Sequence, residues 1–284
     1  MGTAFRKLLQ AGGGGVPRGA MERSLQQLEQ SALQQMPEFD PQGVANMLHI
    51  IAKSRHRPGV RDLLPALEAR AGEVAAACNS QGVANILWAY ATMGREPGER
   101  VLGALEARAL VVRSLMGVQN LVQLHQHILS CRLGDRPPRR STLCELEDLL
   151  GARCHEAFAA APTISSQSQQ QVSMALRDMG LRVENEYRCP DSGYSIDMLV
   201  QGVSPSATNE GVPGAVQRWA VEFDGPSHFL TCGSPKGATL LKRRHLQQLG
   251  YLVVVVPYWE WDRVKGRMAS EVQFLRDRIA AVGA

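Results

Sequence analysis

The chain has 284 residues, 31 Lys+Arg against 27 Asp+Glu, 44% hydrophobic and 5% aromatic side chains, with 27 Gly and 15 Pro. That length allows one large or two ordinary domains, and the apolar fraction excludes a wholly disordered chain. No apolar run approaches the ~20 residues of a membrane-spanning helix, so a soluble protein with no membrane partner is expected, and the net charge of +4 only hints at a polyanionic partner.

The bases are 26 Arg against 5 Lys. Arginine suits forked contacts to phosphate and stacking on bases, although a GC-rich genome gives the same bias. The six cysteines show neither CxxC nor Cys/His zinc spacing and read as reduced thiols. Residues 1–23 hold Arg6, Lys7, Arg18 and Arg23 against Glu22 alone, with a Gly12–Gly15 run. They are expected to be flexible: an organelle presequence, a tail or the product of a truncated gene model.

Residues 24–163 read as an α-helical repeat domain. Gln-Gly-Val-Ala-Asn at 42–46 recurs at 81–85, and Ala-Leu-Glu-Ala-Arg-Ala at 66–71 recurs at 104–109. Each unit of about 38–39 residues predicts two helices. Val44, Met47, Leu48 and Ile51 have helical spacing, as do Val83, Ile86, Leu87 and Tyr90; Val118, Leu121, Val122 and His125 form a third, degenerate copy. Breakers at Arg57-Pro58-Gly59, Glu96-Pro97-Gly98 and Arg136-Pro137-Pro138 precede second helices over 60–77, 99–114 and 141–160; residues 24–36 supply an upstream second helix. Such pairs bury their apolar faces only by stacking, which predicts an α-solenoid with a concave binding surface. Asn46, Asn85 and Asn120 fall at equivalent positions in this register and either read bases or bond within the helix stack. Trp88 and Tyr90 read as core; His49, His125 and His127 read as helix-face residues.

Residues 164–284 read as an α/β domain. Ser166 or Ser168 caps a helix ending at Gly180, and strand-like runs follow at 194–200, 219–223 and 251–256, with a helix from Thr239 to Leu249 between the last two. Strand, helix, buried strand reads as a βαβ unit. Residues 202–214 read as a loop, and 270–281 as a final helix.

The candidate chemistry lies here. Glu222 and Asp224 share one face of a strand, and Asp197 lies in a strand that could pair beside it. Three converging carboxylates could hold Mg²⁺, and three solvated strand-end acids would look the same. The turn at Gly225-Pro226-Ser227 could return His228 to that edge. Lys236, Lys242, Arg243 and Arg244 fall in an acid-free stretch, and Tyr258, Trp259 and Trp261 offer rings for base stacking unless some are core.

These residues carry a family resemblance. Val221-Glu-Phe-Asp-Gly-Pro-Ser-His-Phe229, Thr239-Leu-Leu-Lys-Arg-Arg244, Leu249-Gly-Tyr251 and Val256-Pro-Tyr-Trp-Glu-Trp261 resemble the RAP domain, named for RNA-binding proteins abundant in apicomplexans, over about residues 165–265. Asn85-Ile-Leu-Trp-Ala-Tyr-Ala-Thr-Met-Gly94 resembles the octotricopeptide-type repeats that often precede it. The family, which includes the FAST-kinase-domain proteins, implies a mitochondrial or plastid protein acting on organelle RNA: processing, stability or ribosomal RNA maturation. Its expected partner is single-stranded organelle transcript or ribosomal RNA, with other RNA-processing proteins as further partners. Its RNA contacts would come from Lys236, Lys242, Arg243, Arg244, His228, Phe229, Tyr258, Trp259 and Trp261.

RAP domains also look similar to the restriction-endonuclease fold. By that likeness Asp197 and Glu222 match its carboxylates, and Asp224 stands where its lysine belongs. The mismatch-repair-endonuclease branch resembles this pattern in using a histidine, which implies a role for His228 if the site cleaves RNA with Mg²⁺ on Asp197, Glu222 and Asp224. An RNA-binding module without cofactor is the first expectation. A Mg²⁺-dependent endoribonuclease and a protein scaffold built on the repeats are the alternatives.

Overall fold

A computed structural model of the chain describes residues 18–134, 140–203 and 216–283. Residues 1–17 of the basic N-terminal segment, Arg136-Pro137-Pro138 and most of the 202–214 loop therefore lie outside the described residues. Among those described are eleven α-helices and one four-stranded mixed sheet. They form two compact units: the chain up to Phe158 together with Phe229–Leu241, and Ala159–His228 together with Lys242–Ala284.

The first unit contains α1 (Arg18–Gln34), α2 (Pro41–Ser54), α3 (Leu63–Val74), α4 (Ser80–Met93), α5 (Glu99–Val111), α6 (Val118–Leu133) and α7 (Ser141–Ala159). The first of these begins before residue 24, so the helix takes in residues 18–23 of the N-terminal segment. Both α3 and α5 stop short of their expected ends and give way to 3-10 turns at Ala75–Ala77 and Arg113–Leu115. The N-caps explain where the leading helices start. Asp40 accepts from the Gly43 N–H at 2.7 Å, and Asn79 from the Gly82 N–H at 2.7 Å; such a cap contributes about 1 kcal/mol. The apolar stripes of α2 and α4 are buried, including Val44, Leu48, Ile51, Val83, Leu87, Trp88 and Tyr90. α2 packs on α4, and α4 on α6.

The caps also correct the repeat register. Asp40, Asn79 and Gly117 cap α2, α4 and α6 at successive offsets of 39 and 38 residues. The third-unit equivalent of Asn46 and Asn85 is therefore Gln123, and Asn120 aligns with Gly43 and Gly82 at the helix start. Val118 mimics the apolar position one turn early in the sequence, although it is 69% exposed. His125 and His127 are likewise buried rather than on an open helix face.

At the same offset stand Glu29, Glu68 and Glu106, each on the trailing helix of a pair and each reaching forward. Glu29 accepts from the Val60 N–H at 2.8 Å and meets His56 Nε2. Glu68 accepts from the Gly98 N–H at 2.9 Å and from Arg95. Glu106 takes both Arg140 Nε (3.1 Å) and Nη2 (2.9 Å), the Thr142 hydroxyl (2.7 Å) and His127 Nε2 (3.2 Å). Arginines reach back: Arg70 to Phe39 O, Arg108 to Cys78 O and Arg153 to Met116 O, each the carbonyl just before a leading-helix cap. The repeated Ala-Leu-Glu-Ala-Arg-Ala is thus a two-way clamp: its Glu orders the next connecting loop and its Arg the preceding junction.

In the second unit Ser166 caps α8 (Gln167–Asp178), its hydroxyl accepting from the Gln169 N–H at 3.2 Å. Strands β1 (Arg182–Arg188), β2 (Ser195–Val203), β3 (Val216–Asp224) and β4 (Leu252–Pro257) lie in that order. The first two pairings are antiparallel, and β3–β4 is parallel, joined through α9 (Gly237–Gln248). α10 (Tyr258–Val264) and α11 (Met268–Gly283) follow. Strand alternation gives the sheet two faces. Met198, Val200, Trp219, Val221, Phe223, Val254 and Val256 form one core with Leu176, Trp261 and Leu275. The alternate residues Glu222 and Asp224 point to the other side. β1 escapes a sequence reading because Arg-Val-Glu-Asn-Glu-Tyr-Arg carries almost no apolar alternation. No helix among the described residues is long and apolar enough to cross a membrane.

Candidate functional site

The polar face of the sheet carries the sequence-expected carboxylates. Asp197 lies on β2, one step beyond the Met198–Val221 pair, so it stands beside Glu222 of β3. Its Oδ2 accepts from the Phe223 N–H at 2.8 Å. Glu222 and Asp224 are 3% and 2% exposed, which is expensive for charged groups without partners. The partners come from α9: Lys242 Nζ donates to Glu222 Oε2, and Arg243 Nη2 to Asp224 Oδ2. His228 Nδ1 lies 3.1 Å from Asp224 Oδ1, so the turn does return the histidine to this edge.

A fourth acid joins them without any signal in the sequence. Glu186 of β1 falls between the Asn185–Met198 and Tyr187–Ile196 pairs, opposite Asp197. It holds a left-handed backbone, φ 51°, and its Oε2 accepts from Ser195 Oγ at 3.3 Å. Burial, then the Asp197 charge, raises its carboxyl above the ordinary range. Burial pushes Glu222 to about 7, with Lys242 working against that and Asp197 adding to it. Burial disfavours the Lys242 ammonium, but Glu222, Asp197 and Asp224 outweigh it and hold the lysine above its usual value. The cluster is therefore a network of mutually compensated charges.

This geometry changes the role of two expected RNA contacts. Lys242 and Arg243 are occupied by buried acids and do not form an open basic patch. The same pairs bear on Mg²⁺: Glu222 and Asp224 each carry a protein cation. Among the described residues, the group of three ligands within 4.8 Å of one another is Glu106, His127 and Cys131, not the three strand carboxylates. As arranged, Asp197, Glu222 and Asp224 do not fit a divalent ion. Nor do Glu106, His127 and Cys131, because Arg140 and Thr142 take both Glu106 oxygens.

The aromatic residues separate too. Trp261 is 0% exposed in the core of the second unit, so it is not a stacking platform. It lies on the inward side of α10, a short helix that a turn-like Pro-Tyr-Trp sequence did not announce. Tyr258 and Trp259 are half-buried and meet edge to face, 5.2 Å between centroids. Arg244 and Lys236 are half-buried, and Phe229 bridges to Pro235. Phe229 and Lys236 belong to the segment that groups with the first unit, whereas His228 belongs to the second.

The asparagines do not make a uniform row. Asn46 is exposed and accepts from Gln42 Nε2 at 2.8 Å. Asn85 is buried and accepts from Gln123 Nε2 at 2.8 Å, parallel to a bond from Trp88 Nε1 to Gln126. Asn120 accepts from the Gly117 N–H at 3.3 Å, fastening its own helix start. Asn85 and Asn120 thus bond within the helix stack.

Comparison with known proteins agrees with the segment that carries these residues. Over 211 residues the chain is 24% identical to a RAP domain-containing protein, chloroplastic, of Oryza sativa subsp. japonica, covering 68% of this chain and 29% of that protein. Over 94 residues it is 39% identical to FAST kinase domain-containing protein 3, mitochondrial, of Homo sapiens, covering 30% and 13%. Over 79 residues it is 33% identical to FAST kinase domain-containing protein 1, mitochondrial, of Xenopus tropicalis, covering 27% and 10%. The chain thus spans less than a third of the length of these relatives. The end of the strand that holds Glu222 and Asp224, the helix that holds Lys242 and Arg243, and all that follows to Arg278 match the family described as the RAP domain over residues 221–278.

Proposed function

We propose that the chain is an RNA-binding protein of organelle RNA metabolism, serving processing, stability or ribosomal RNA maturation in the mitochondrion or plastid. The observation that carries this reading is the RAP match at 221–278, downstream of helices clamped at offsets of 39 and 38 residues. Its relatives are named mitochondrial or chloroplastic. We read the helical half as an α-solenoid whose two-helix repeats present single-stranded RNA with a long surface. Recurrence of the caps and of the Glu and Arg clamps supports that reading. Other RNA-processing proteins are its natural partners, because so few repeats read only a short site.

One observation favours a second reading. Lys242 reaches Glu222 from α9, supplying an ammonium group where β3 itself has Asp224. That arrangement supports a restriction-endonuclease-like domain, and cleavage would require Lys242 and Arg243 to release their carboxylates. RNA binding without cleavage requires no such opening and is therefore the first reading.

Both are tested together on the full chain with labelled single-stranded RNA. Binding that weakens steeply with salt, without cleavage in Mg²⁺, supports the first. Cleavage in Mg²⁺ that is lost in Asp197→Ala selects the second. A chain that neither binds nor cuts RNA overturns both.

A further inference from the structure

The loop leaving α2 is unusual in charge. Lys53, Arg55, Arg57 and Arg61 fall within nine residues that contain no acid. All four side chains are exposed, and among the described residues none forms an ion pair, unlike Lys242 and Arg243. The buried Glu29 is already engaged from inside the loop by His56 and the Val60 N–H. Asp62, exposed, follows at the start of α3.

A second segment of the same unit extends this edge. Arg55 Nη1 donates to Pro235 O at 3.4 Å, which brings the half-buried Lys236 alongside. Two residues away, a Cβ on Gly237 would stand 2.2 Å from Ala52 O, so the chain runs in backbone contact with the end of α2.

Neither feature follows from the repeat itself. At the same place in the next unit, Arg95 reaches Glu68, and Glu96 and Glu99 offset Arg100. Arg55 also keeps a left-handed backbone, φ 52°, where the next unit has Gly94 at φ 63°. An arginine held where glycine is favoured points to a use for its side chain.

We propose that Lys53, Arg55, Arg57, Arg61 and Lys236 form a phosphate-binding edge that holds the backbone of single-stranded RNA. This rests on the RNA-binding reading and assigns the electrostatic grip to residues of the first unit rather than to the compensated Lys242–Glu222 and Arg243–Asp224 pairs. Exposed, unpaired guanidinium groups release counterions on contact with phosphate, and each such contact steepens the salt dependence of binding.

The test uses the full chain and a fluorescein-labelled single-stranded oligouridylate, with affinity measured by anisotropy across a salt series. Arg55→Gln/Arg57→Gln/Arg61→Gln is compared with a charge-matched variant of exposed arginines in the second unit, Arg263→Gln/Arg267→Gln/Arg276→Gln. Loss of three phosphate contacts is expected to flatten the plot of log affinity against log salt by about 2 for the first variant, and to leave the second at the parent slope. Equal slopes for all three proteins, or equal losses in both variants, overturn this edge while leaving RNA binding in place. Failure of the unmodified chain to bind overturns the underlying reading itself.

Discussion

Arg55 and Gly94 occupy the same place in successive helix pairs, 39 residues apart, and both hold a left-handed backbone at a helix C-terminus. Only glycine does so without a Cβ cost, which is of order 1 kcal/mol for other residues. Arg55→Gly is therefore expected to raise the stability of the first unit by about 1 kcal/mol, less what glycine adds to unfolded-state entropy. The same change is expected to weaken RNA binding at low salt. Denaturant unfolding and the anisotropy titration read the two effects separately. A variant that gains no stability contradicts the strain argument.

The clamp glutamates give a graded series. Glu106 is fully buried and held by a 12% exposed Arg140, whereas Glu68 and Arg95 are 22% and 39% exposed. Glu106→Gln should cost about 3–5 kcal/mol, because Arg140 is left buried without its counter-charge. Glu68→Gln should cost about 1 kcal/mol or less. The pH dependence follows from the same partners. Burial alone would raise the Glu106 carboxyl, but His127, Arg140 and Thr142 outweigh it and bring it to about 2. Its contribution is complete above 4.5, its ordinary value, and is lost as pH falls through about 2. Burial opposes the charged His127 imidazole, yet Cys131 and Glu106 hold it at about 10, so that contribution is complete below 6.5 and lost as pH rises through about 10. The stability difference between the parent and His127→Gln should therefore be largest near pH 5–6 and shrink towards pH 10. Melting curves across that range check it; a constant difference would count against the charged pair.

These clamps show what the sequence could reveal. The repeat offset and the apolar stripes of α2 and α4 were readable because helix period and core burial leave a direct mark on residue type. The repeated Glu and Arg were visible as letters, but their partners lie about 30 residues away and are set by packing. Lys242 and Arg243 looked like a free patch for a similar reason: a charge run on a helix says nothing about acids arriving from a strand. Trp261 followed the same logic, since three neighbouring aromatic residues point in different directions once they form a helix. Glu186 gave no signal, because β1 carries almost no apolar alternation and takes its strand conformation from pairing with β2.

Gly237 supplies a steric prediction. The added Cβ of Gly237→Ala would lie 2.2 Å from Ala52 O and 2.7 Å from Thr92 Cγ2. The nearer atom is backbone at the end of a packed helix and cannot rotate aside. The substitution should cost about 1–3 kcal/mol, despite alanine being the better helix former at the start of α9. Thermal unfolding measures the loss, and Gly233→Ala, where nothing lies within 4 Å but φ is +79°, separates steric contact from backbone strain. If Gly237→Ala is neutral, the close approach is not maintained in solution.

Glu222 and Lys242 give the sharpest pH prediction for the second unit. Burial raises the carboxyl to about 7 against the pull of Lys242, and Glu222 Oε1 finds no hydrogen-bond partner among the described residues. A folded-state value above the ordinary 4.5 means that the native chain binds protons more tightly than the unfolded one. The contribution of this group is thus complete below 4.5 and is lost as pH rises through about 7. Glu222→Gln should flatten the decline of stability over that interval. Lys242→Met should cost up to about 3–5 kcal/mol near pH 8, where the buried Glu222 beside Asp197 must either stay charged without a partner or take up a proton that the unfolded chain has released, and clearly less near pH 6. The double variant Lys242→Met/Glu222→Gln should recover most of the loss near pH 8, because no uncompensated charge remains. Denaturant unfolding followed by tryptophan fluorescence, with Trp219 and Trp261 in the adjoining core, reads all three. If Lys242→Met costs the same at both pH values, the carboxylate it leaves behind is not buried as the geometry requires.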